Sequence, residues 1–383
     1  MKRLILLLGA VLLLAGMAAP AQAVELNIGG KSAVLMDVAT GTVLYESNPH
    51  EALPPASVTK VMTMLLIMEA VDAGKITLND TVTASENAAA KGGSQIYLKA
   101  GETMSVSDML KSIAVSSAND CACAMAEHIA GSESAFVDAM NQRARELGMR
   151  DTHFVNCTGL DDDDAAKQHR TSAYDIALMS RELLRNHPLI KKYTTIWMDT
   201  VRNGAFGLSN TNKLIRFYPG ATGLKTGFTS GAGYCLSASA QREGMELVAV
   251  VMGAKTSQAR NAACKELLDY GFANFAVIAP ELSDVPGVPV KLGKQDTVSA
   301  ALGEATGLLI DKAQKSSVTT QVSLEERVTA PVTRGQQIGT LSIKSGEQTL
   351  RQIPLVAAEG VERLTTGDLF VKVLRKAAMA KDA

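Results

Sequence analysis

Residues 55–68 read Pro-Ala-Ser-Val-Thr-Lys-Val-Met-Thr-Met-Leu-Leu-Ile-Met, a proline followed by a nearly unbroken apolar run. The run predicts a helix from Ser57 to about Ala73, with Gly74 ending it. Because it is apolar on nearly every side, we expect this helix to be buried at the centre of the fold. Lys60 then stands on a helix that has almost no polar face.

Ser57 and Lys60 are three residues apart, so a helix places their side chains on one face. A serine hydroxyl is a weak nucleophile unless a nearby base accepts its proton. Burial disfavours the ammonium form of lysine and could supply a neutral amine as that base. The alternative is an N-cap serine followed by a surface lysine, and the Ser-x-x-Lys pattern alone is weak.

The segments around this helix predict one antiparallel sheet flanked by helices. Residues 32–38 and 42–46 flank a turn and read as a hairpin. Strand patterns return only late in the chain, and the region between is mainly helical. The late strands are 223–228, 234–240 and 246–253, the helical patterns are 105–130, 132–147 and 172–186, and a last helix runs from about Ser257 to Phe272. We therefore predict an α+β domain whose sheet is closed by its two ends.

The rest of the chain divides into three further parts. Near Ala276 prolines mark a linker, and alternating Val, Thr, Gly and Ser to about residue 358 predict a small all-β domain. Lys2, Arg3, an apolar run and Ala21-Gln22-Ala23 follow the order of a signal peptide, and the run is short for a membrane span. The predicted parts are a signal peptide (1–23), a catalytic domain (24–275), a β domain (276–363) and a tail (364–383).

Composition excludes several classes of protein. The chain has 383 residues, 46% of them hydrophobic, with 38 basic and 39 acidic side chains. A disordered chain is therefore excluded, and the net charge of −1 gives no electrostatic footprint for nucleic acid. Five cysteines, an odd number, show no metal-ligand spacing, and the acidic run 161–164 reads as a solvated loop. We expect no metal and no cofactor.

Two more motifs follow the serine–lysine pair. Ser117-Ala118-Asn119 puts a hydroxyl and an amide two residues apart, where a bend between helices could turn both to one cleft. Lys225-Thr226-Gly227, followed by Phe228, places a cation and a hydroxyl on a strand, where small residues let a ligand approach the backbone. Alone, the first of these motifs also fits an ordinary polar turn, and the second also fits an edge strand with an exposed lysine.

In this order, the three motifs resemble the low-molecular-mass penicillin-binding proteins that act as serine-type D-alanyl-D-alanine carboxypeptidases. The resemblance covers essentially the whole chain after the signal peptide. It includes Pro55-Ala-Ser-Val-Thr-Lys60, Ser117-Ala-Asn-Asp120, Tyr218-Pro-Gly-Ala-Thr-Gly-Leu-Lys-Thr-Gly227 and Pro331-Val-Thr-Arg-Gly-Gln-Gln-Ile-Gly339. Some relatives carry histidine at the position of Phe228.

The resemblance implies a role for each motif residue. Ser57 would attack the carbonyl between the two terminal D-alanines of the peptidoglycan stem peptide, with Lys60 as base. Ser117 would relay a proton to the leaving group, and Asn119 would hold a substrate amide. Lys225 and Thr226 would bind the terminal carboxylate, Gly227 would let the substrate approach, and backbone N–H groups of Ser57 and Phe228 would form an oxyanion hole. β-Lactam antibiotics would acylate the same serine.

Two other functions stay open at this point. A class A β-lactamase would share the acylation chemistry but needs a carboxylate for deacylation, and residues 160–170 lack the Glu-x-x-x-Asn pattern. A catalytically silent wall-binding scaffold would not need three complete motifs. The tail, residues 368–383, carries four basic and two acidic groups on a helical apolar pattern. It predicts peripheral contact with the outer face of the cytoplasmic membrane, or else a helix capping the β domain.

Overall fold

The sheet that positions the site has five antiparallel strands. The computed structural model describes residues 26, 28–162, 164–282, 284–304 and 307–371. The first nine strands are β1 (Ser32–Asp37), β2 (Val43–Ser47), β3 (Thr81–Thr83), β4 (Thr103–Ser105), β5 (Met198–Val201), β6 (Phe206–Ser209), β7 (Ala221–Thr229), β8 (Gly233–Arg242) and β9 (Met245–Ala254). The order β2-β1-β9-β8-β7 confirms that an early hairpin and three late strands form one sheet.

Helices cover both faces of this sheet. The helices of the described residues are α1 (Lys60–Asp72), α2 (Glu86–Ala89), α3 (Val106–Ser116), α4 (Asn119–Ala130), α5 (Glu133–Glu146), α6 (Ala173–Asn186), α7 (Lys191–Thr194), α8 (Leu214–Phe217) and α9 (Ser257–Asn274). Because side chains alternate along a strand, Val34 and Met36 of β1 pack into the cluster that contains α1, whereas Ala33 and Leu35 pack towards α9. The sheet is therefore buried on both sides.

The start of the central helix differs from the predicted one. Residues Ala56–Thr59 form a 3-10 turn, and the regular helix begins at Lys60 instead of Ser57. Ala56 has φ +48°, a conformation that L-residues rarely adopt, so the backbone that enters the turn is not that of a regular helix. The predicted burial is confirmed, because Lys60 and most of the residues after it are inaccessible to solvent.

The remaining strands build the predicted β-rich region. They are β10 (Phe275–Ile278), β11 (Val288–Lys291), β12 (Thr297–Val298), β13 (Ala300–Leu302), β14 (Leu308–Asp311), β15 (Val318–Leu324), β16 (Val328–Thr329), β17 (Gln337–Ser345) and β18 (Gln348–Ala357). Their largest sheet has the order β13-β18-β17-β15, and β10 pairs with β14. The domain boundaries given above stay a prediction.

Both predicted terminal segments extend beyond what the structure describes. Residues 1–23 lie outside the described residues, and so do residues 372–383 of the tail. Residues 366–371 are helical, and Leu369, Phe370 and Val371 are exposed. Across the described residues, every helix is too short or too polar to cross a bilayer.

Candidate active site

The first motif places a serine hydroxyl against a buried amine. Lys60 Nζ lies 3.0 Å from Ser57 Oγ and donates a second hydrogen bond of 2.7 Å to the carbonyl of Thr158. The Lys60 side chain is fully buried, whereas Ser57 is half-buried. The sequence-based expectation of a Ser–Lys pair on one face is therefore met by a direct contact.

Burial sets the protonation of this lysine. It lowers the pKa of Lys60 from 10.5 to about 7, although the nearby Cys157 and Asp120 act in the opposite direction. Near neutral pH a large fraction of the amine is therefore uncharged. A neutral Nζ has a lone pair that can accept the Ser57 proton across the 3.0 Å contact.

A loop that the sequence analysis did not single out supplies the Thr158 carbonyl. Asn156 Oδ1 accepts hydrogen bonds from the backbone N–H groups of Thr158 and Gly159, at 3.2 and 2.7 Å, and so fixes the turn. Gly159 has φ +81°, and a Cβ there would lie 1.9 Å from the carbonyl oxygen of Ala56. Only glycine lets this loop pack against the Ala56–Thr59 turn.

The second motif lies at the break between α3 and α4. Ser117 is nearly buried and has φ +64°, which ends α3. Asn119 opens α4, and its Nδ2 donates to the carbonyl of Gly92 at 2.7 Å. Asn119 Oδ1 is buried and has no hydrogen-bond partner among the described residues. This oxygen is an acceptor suited to an amide N–H of a ligand.

The third motif lies on β7, one of the two edge strands of the five-stranded sheet. Lys225 is buried, contrary to the exposed edge lysine of the alternative interpretation, and its Nζ donates to the carbonyl of Thr226 at 2.9 Å. Burial lowers the pKa of Lys225 well below 10.5, and the charges of Lys60 and Arg260 add to this effect. A carboxylate bound beside Lys225 would favour its charged form.

Gly227 brings β7 against the Ala56–Thr59 turn. A Cβ at this position would lie 2.7 Å from the carbonyl oxygen of Pro55 and 3.1 Å from the backbone nitrogen of Ser57. The strand backbone therefore touches the turn itself. In the sequence analysis this glycine was expected to give space to a ligand; the structure uses at least part of that space for the turn.

A threonine bridge connects the second and third motifs. Thr226 Oγ1 donates to Thr211 Oγ1 at 2.7 Å, and the backbone N–H of Thr211 donates to the carbonyl of Val115 at the end of α3, at 3.1 Å. Ser117 follows Val115 by two residues. The structure thus brings all three motifs to one place, although no hydrogen bond joins Ser117 Oγ to Ser57 or Lys60 within the described part of the chain.

Comparison with known proteins gives the family. A family model described as D-alanyl-D-alanine carboxypeptidase matches residues 17–256. D-alanyl-D-alanine carboxypeptidase DacF of Bacillus subtilis is 44% identical over 345 residues, which cover 88% of this chain and 87% of that protein. The chain belongs to the D-alanyl-D-alanine carboxypeptidase family. This confirms the family and the enzyme class, a serine hydrolase, that the three motifs predicted.

Similarity to solved structures of this family confirms the predicted fold class. Penicillin binding protein 5 from Haemophilus influenzae has a TM-score of 0.70 and 31% identity, covering 88% of this chain and 99% of that one. Penicillin-Binding Protein D2 from Listeria monocytogenes, solved in the ampicillin bound form, has a TM-score of 0.59 and 32% identity, covering 65% and 99%. A second family model, Penicillin-binding protein 5, C-terminal domain, matches residues 283–363.

Phe228 differs from its neighbours on β7 because its side chain is 55% exposed. Its ring packs on Tyr234, with centroids 4.3 Å apart. The resemblance used only the backbone N–H of this residue. The ring adds an apolar wall directly after the third motif.

Proposed function

We propose that this chain is a serine D,D-carboxypeptidase that removes the terminal D-alanine from peptidoglycan stem pentapeptides through an acyl-enzyme on Ser57. The observation that carries the proposal is the 3.0 Å contact between Ser57 Oγ and a buried amine whose pKa is about 7. Family membership supplies the substrate class. The geometry supports Ser57 as the nucleophile and Lys60 as its base.

In the acylation step, neutral Lys60 takes the Ser57 proton and Oγ attacks the carbonyl between the two D-alanines. The carbon–nitrogen bond breaks, and the leaving amine receives a proton relayed by Ser117. Backbone N–H groups of Ser57 and Phe228 stabilise the oxyanion, each worth about 3 kcal/mol in comparable acyl transfers. Water then hydrolyses the ester on Ser57 and releases the shortened peptide.

The other motif residues orient the substrate in this proposal. Lys225 and Thr226 bind the terminal carboxylate, and Asn119 accepts a hydrogen bond from a substrate amide through its free Oδ1. The fold places Gly227 where its backbone lies close to Ser57, so the substrate would bind alongside β7. β-Lactams would acylate Ser57 in the same position.

One observation disfavours the β-lactamase alternative. Among the described residues, no carboxylate is hydrogen-bonded to Ser57 Oγ or Lys60 Nζ. Asp120, the acidic group whose charge reaches Lys60, accepts instead from the backbone N–H groups of Ile96 and Leu98. A carboxylate engaged in this way is not free to activate water for fast deacylation.

Mass spectrometry of products tests this function directly. We expect the purified protein to convert a stem pentapeptide to the tetrapeptide, with loss of one D-alanine, because Ser57 and Lys60 are assembled for acyl transfer. Nitrocefin and fluorescent penicillin complete the experiment. Rapid nitrocefin turnover would favour the β-lactamase, and an unlabelled, inactive protein would favour the scaffold.

We also propose that the protein is exported and associates peripherally with the outer face of the cytoplasmic membrane through its tail. Residues 1–23 have the order of a signal peptide. At the start of the tail, Leu369, Phe370 and Val371 are exposed apolar side chains, and the sequence that follows is basic. Apolar and basic groups together favour an anionic lipid surface.

Deletion of residues 368–383 tests the membrane contact. We expect the truncated protein to move from the membrane fraction to the soluble fraction, because the deletion removes both the apolar and the basic groups. Unchanged hydrolysis of a soluble pentapeptide is the control for correct folding. An active truncated protein that stays in the membrane fraction would contradict the proposal.

A further inference from the structure

A buried chain of hydrogen bonds lies behind the nucleophile. His169 Nε2 and Thr59 Oγ1 are 2.8 Å apart, and Thr59 Oγ1 donates to the carbonyl oxygen of Ala56 at 2.8 Å. Thr59 is fully buried and His169 nearly so. Neither side chain has a role in the three motifs, and the reaction described above does not require them to touch substrate.

The direction in which these hydrogen bonds are donated follows from the groups that take part. Thr59 has one hydroxyl proton and directs it to Ala56, so His169 Nε2 must carry a proton and donate. At the other end of the ring, His169 Nδ1 accepts the backbone N–H of Val155 at 3.2 Å. Burial lowers the pKa of His169 to about 4, with the charges of His153 and Lys60 adding to the effect. The ring is therefore neutral near pH 7, with its proton on Nε2.

The last of these hydrogen bonds is made to the peptide group that contains the proposed oxyanion donor. The carbonyl of Ala56 and the N–H of Ser57 belong to the same planar peptide unit. A hydrogen bond to the carbonyl polarises the whole unit and strengthens its N–H as a donor. It also fixes the plane of a unit that follows a residue at φ +48°.

Two glycines close the space around this peptide unit. Gly159 lies against the Ala56 carbonyl and Thr59 Oγ1, and Gly227 lies against the backbone nitrogen of Ser57. The unit is thus held by close packing from two sides and by a directed hydrogen bond. Packing limits the movement of the unit, whereas the hydrogen bond sets its orientation and its polarity.

We propose that His169 and Thr59 are positioning residues that orient and polarise the Ala56–Ser57 peptide group, so that the Ser57 N–H stabilises the oxyanion. The inference rests on the proposed acylation of Ser57. It extends the site to a histidine and a threonine that bind no substrate. Their contribution is to the rate of acylation and not to the affinity for ligand.

Two pairs of variants in the full-length protein test this role. His169→Leu and Thr59→Val remove the hydrogen bonds that lead to the Ala56 carbonyl. His169→Gln and Thr59→Ser keep a donor and a hydroxyl at the same places. For each, the acylation rate constant and the non-covalent dissociation constant for benzylpenicillin are separated by stopped flow. We expect the first pair to lose about tenfold in rate at an unchanged dissociation constant, part of the 10²–10³-fold worth of a whole oxyanion donor. The second pair should stay within about threefold.

Infrared spectroscopy of the acyl-enzyme provides a readout that a merely structural role would not move. The ester carbonyl on Ser57 lies in the oxyanion hole, so its stretching frequency reports the strength of the donors. We expect a shift to higher frequency in His169→Leu and Thr59→Val, and none in His169→Gln or Thr59→Ser. Thr59→Val preserves side-chain volume, so it decides the question if His169→Leu does not fold.

The outcomes separate this inference from the proposed function. If the wild-type protein forms no penicillin adduct on Ser57, the proposed function fails. If the wild type is acylated but folded Thr59→Val keeps its rate and its carbonyl frequency, the positioning role is overturned. Equal losses in all four variants would also overturn it, because the hydrogen bonds would then not be the cause.

Discussion

Ser57→Ala is expected to abolish both the covalent β-lactam adduct and the release of D-alanine, while the protein stays folded. The variant removes the hydroxyl that lies 3.0 Å from the buried Lys60 amine, and with it the proposed nucleophile. For serine hydrolases, loss of the nucleophile reduces kcat by as much as about 10⁶-fold. Folding should be nearly unaffected, since Lys60 keeps its hydrogen bond to the Thr158 carbonyl.

Intact-protein mass spectrometry after exposure to benzylpenicillin measures this result. Ser134→Ala is the matched control, because Ser134 is an exposed serine of α5 and the same hydroxyl is removed outside the proposed catalytic groups. The control should be fully labelled, and both variants should unfold at the temperature of the wild type within a few degrees. A stoichiometric adduct on Ser57→Ala would show that another residue is the nucleophile.

The sheet and its main helices were predictable because their signals are local. Short strand patterns at residues 32–38 and 246–253 predicted β1 and β9, and these strands pair with Val34 opposite Val250. The apolar run after Lys60 predicted a buried helix for the same reason. Prolines after Ala276 and the alternating Val, Thr, Gly and Ser predicted the β-rich region that follows. In each case the pattern depends on residues close together in the chain.

The parts of the site that were missed depend on contacts between distant residues. Lys60 and Thr158 are 98 positions apart, and Thr59 and His169 are 110 apart. No periodic pattern in the sequence connects them. The 3-10 turn at Ala56–Thr59 was missed for a related reason, because packing of Gly159 and Gly227 accompanies a backbone conformation that local preference disfavours. Asn156 and Gly159 are residues typical of a tight turn, and this local signal could have predicted the loop that carries Thr158.

The second large effect concerns the base. We expect the rate of Ser57 acylation to rise with pH and to level off above an apparent pKa of about 7, the value to which burial brings Lys60. The sign follows from the mechanism, since only the neutral amine can accept the Ser57 proton. Below that pKa the neutral fraction falls about tenfold per pH unit, and the rate should fall with it. Stopped-flow acylation by nitrocefin between pH 5 and pH 9 would measure the profile.

Lys60→Ala and Lys60→Met should both lose the base, and the pair separates chemistry from packing. Alanine leaves a cavity at a fully buried position, whereas methionine fills most of the same space without an ionisable group. Removal of a general base costs about 10²–10⁴-fold in rate. We expect losses of this size in both variants, together with disappearance of the inflection near pH 7.

Lys225 is a second buried amine near the site, so its separate substitution tests whether Lys60 is the base. Its pKa is also lowered by burial, and the charge of Lys60 is one of the causes. In the proposed roles Lys225 binds the substrate carboxylate, so Lys225→Met should weaken binding of the pentapeptide and leave a rising pH profile of acylation. If folded Lys60→Met were instead acylated within tenfold of the wild-type rate, Lys60 would not be the base. If it also kept an inflection that Lys225→Met lost, Lys225 would be the base.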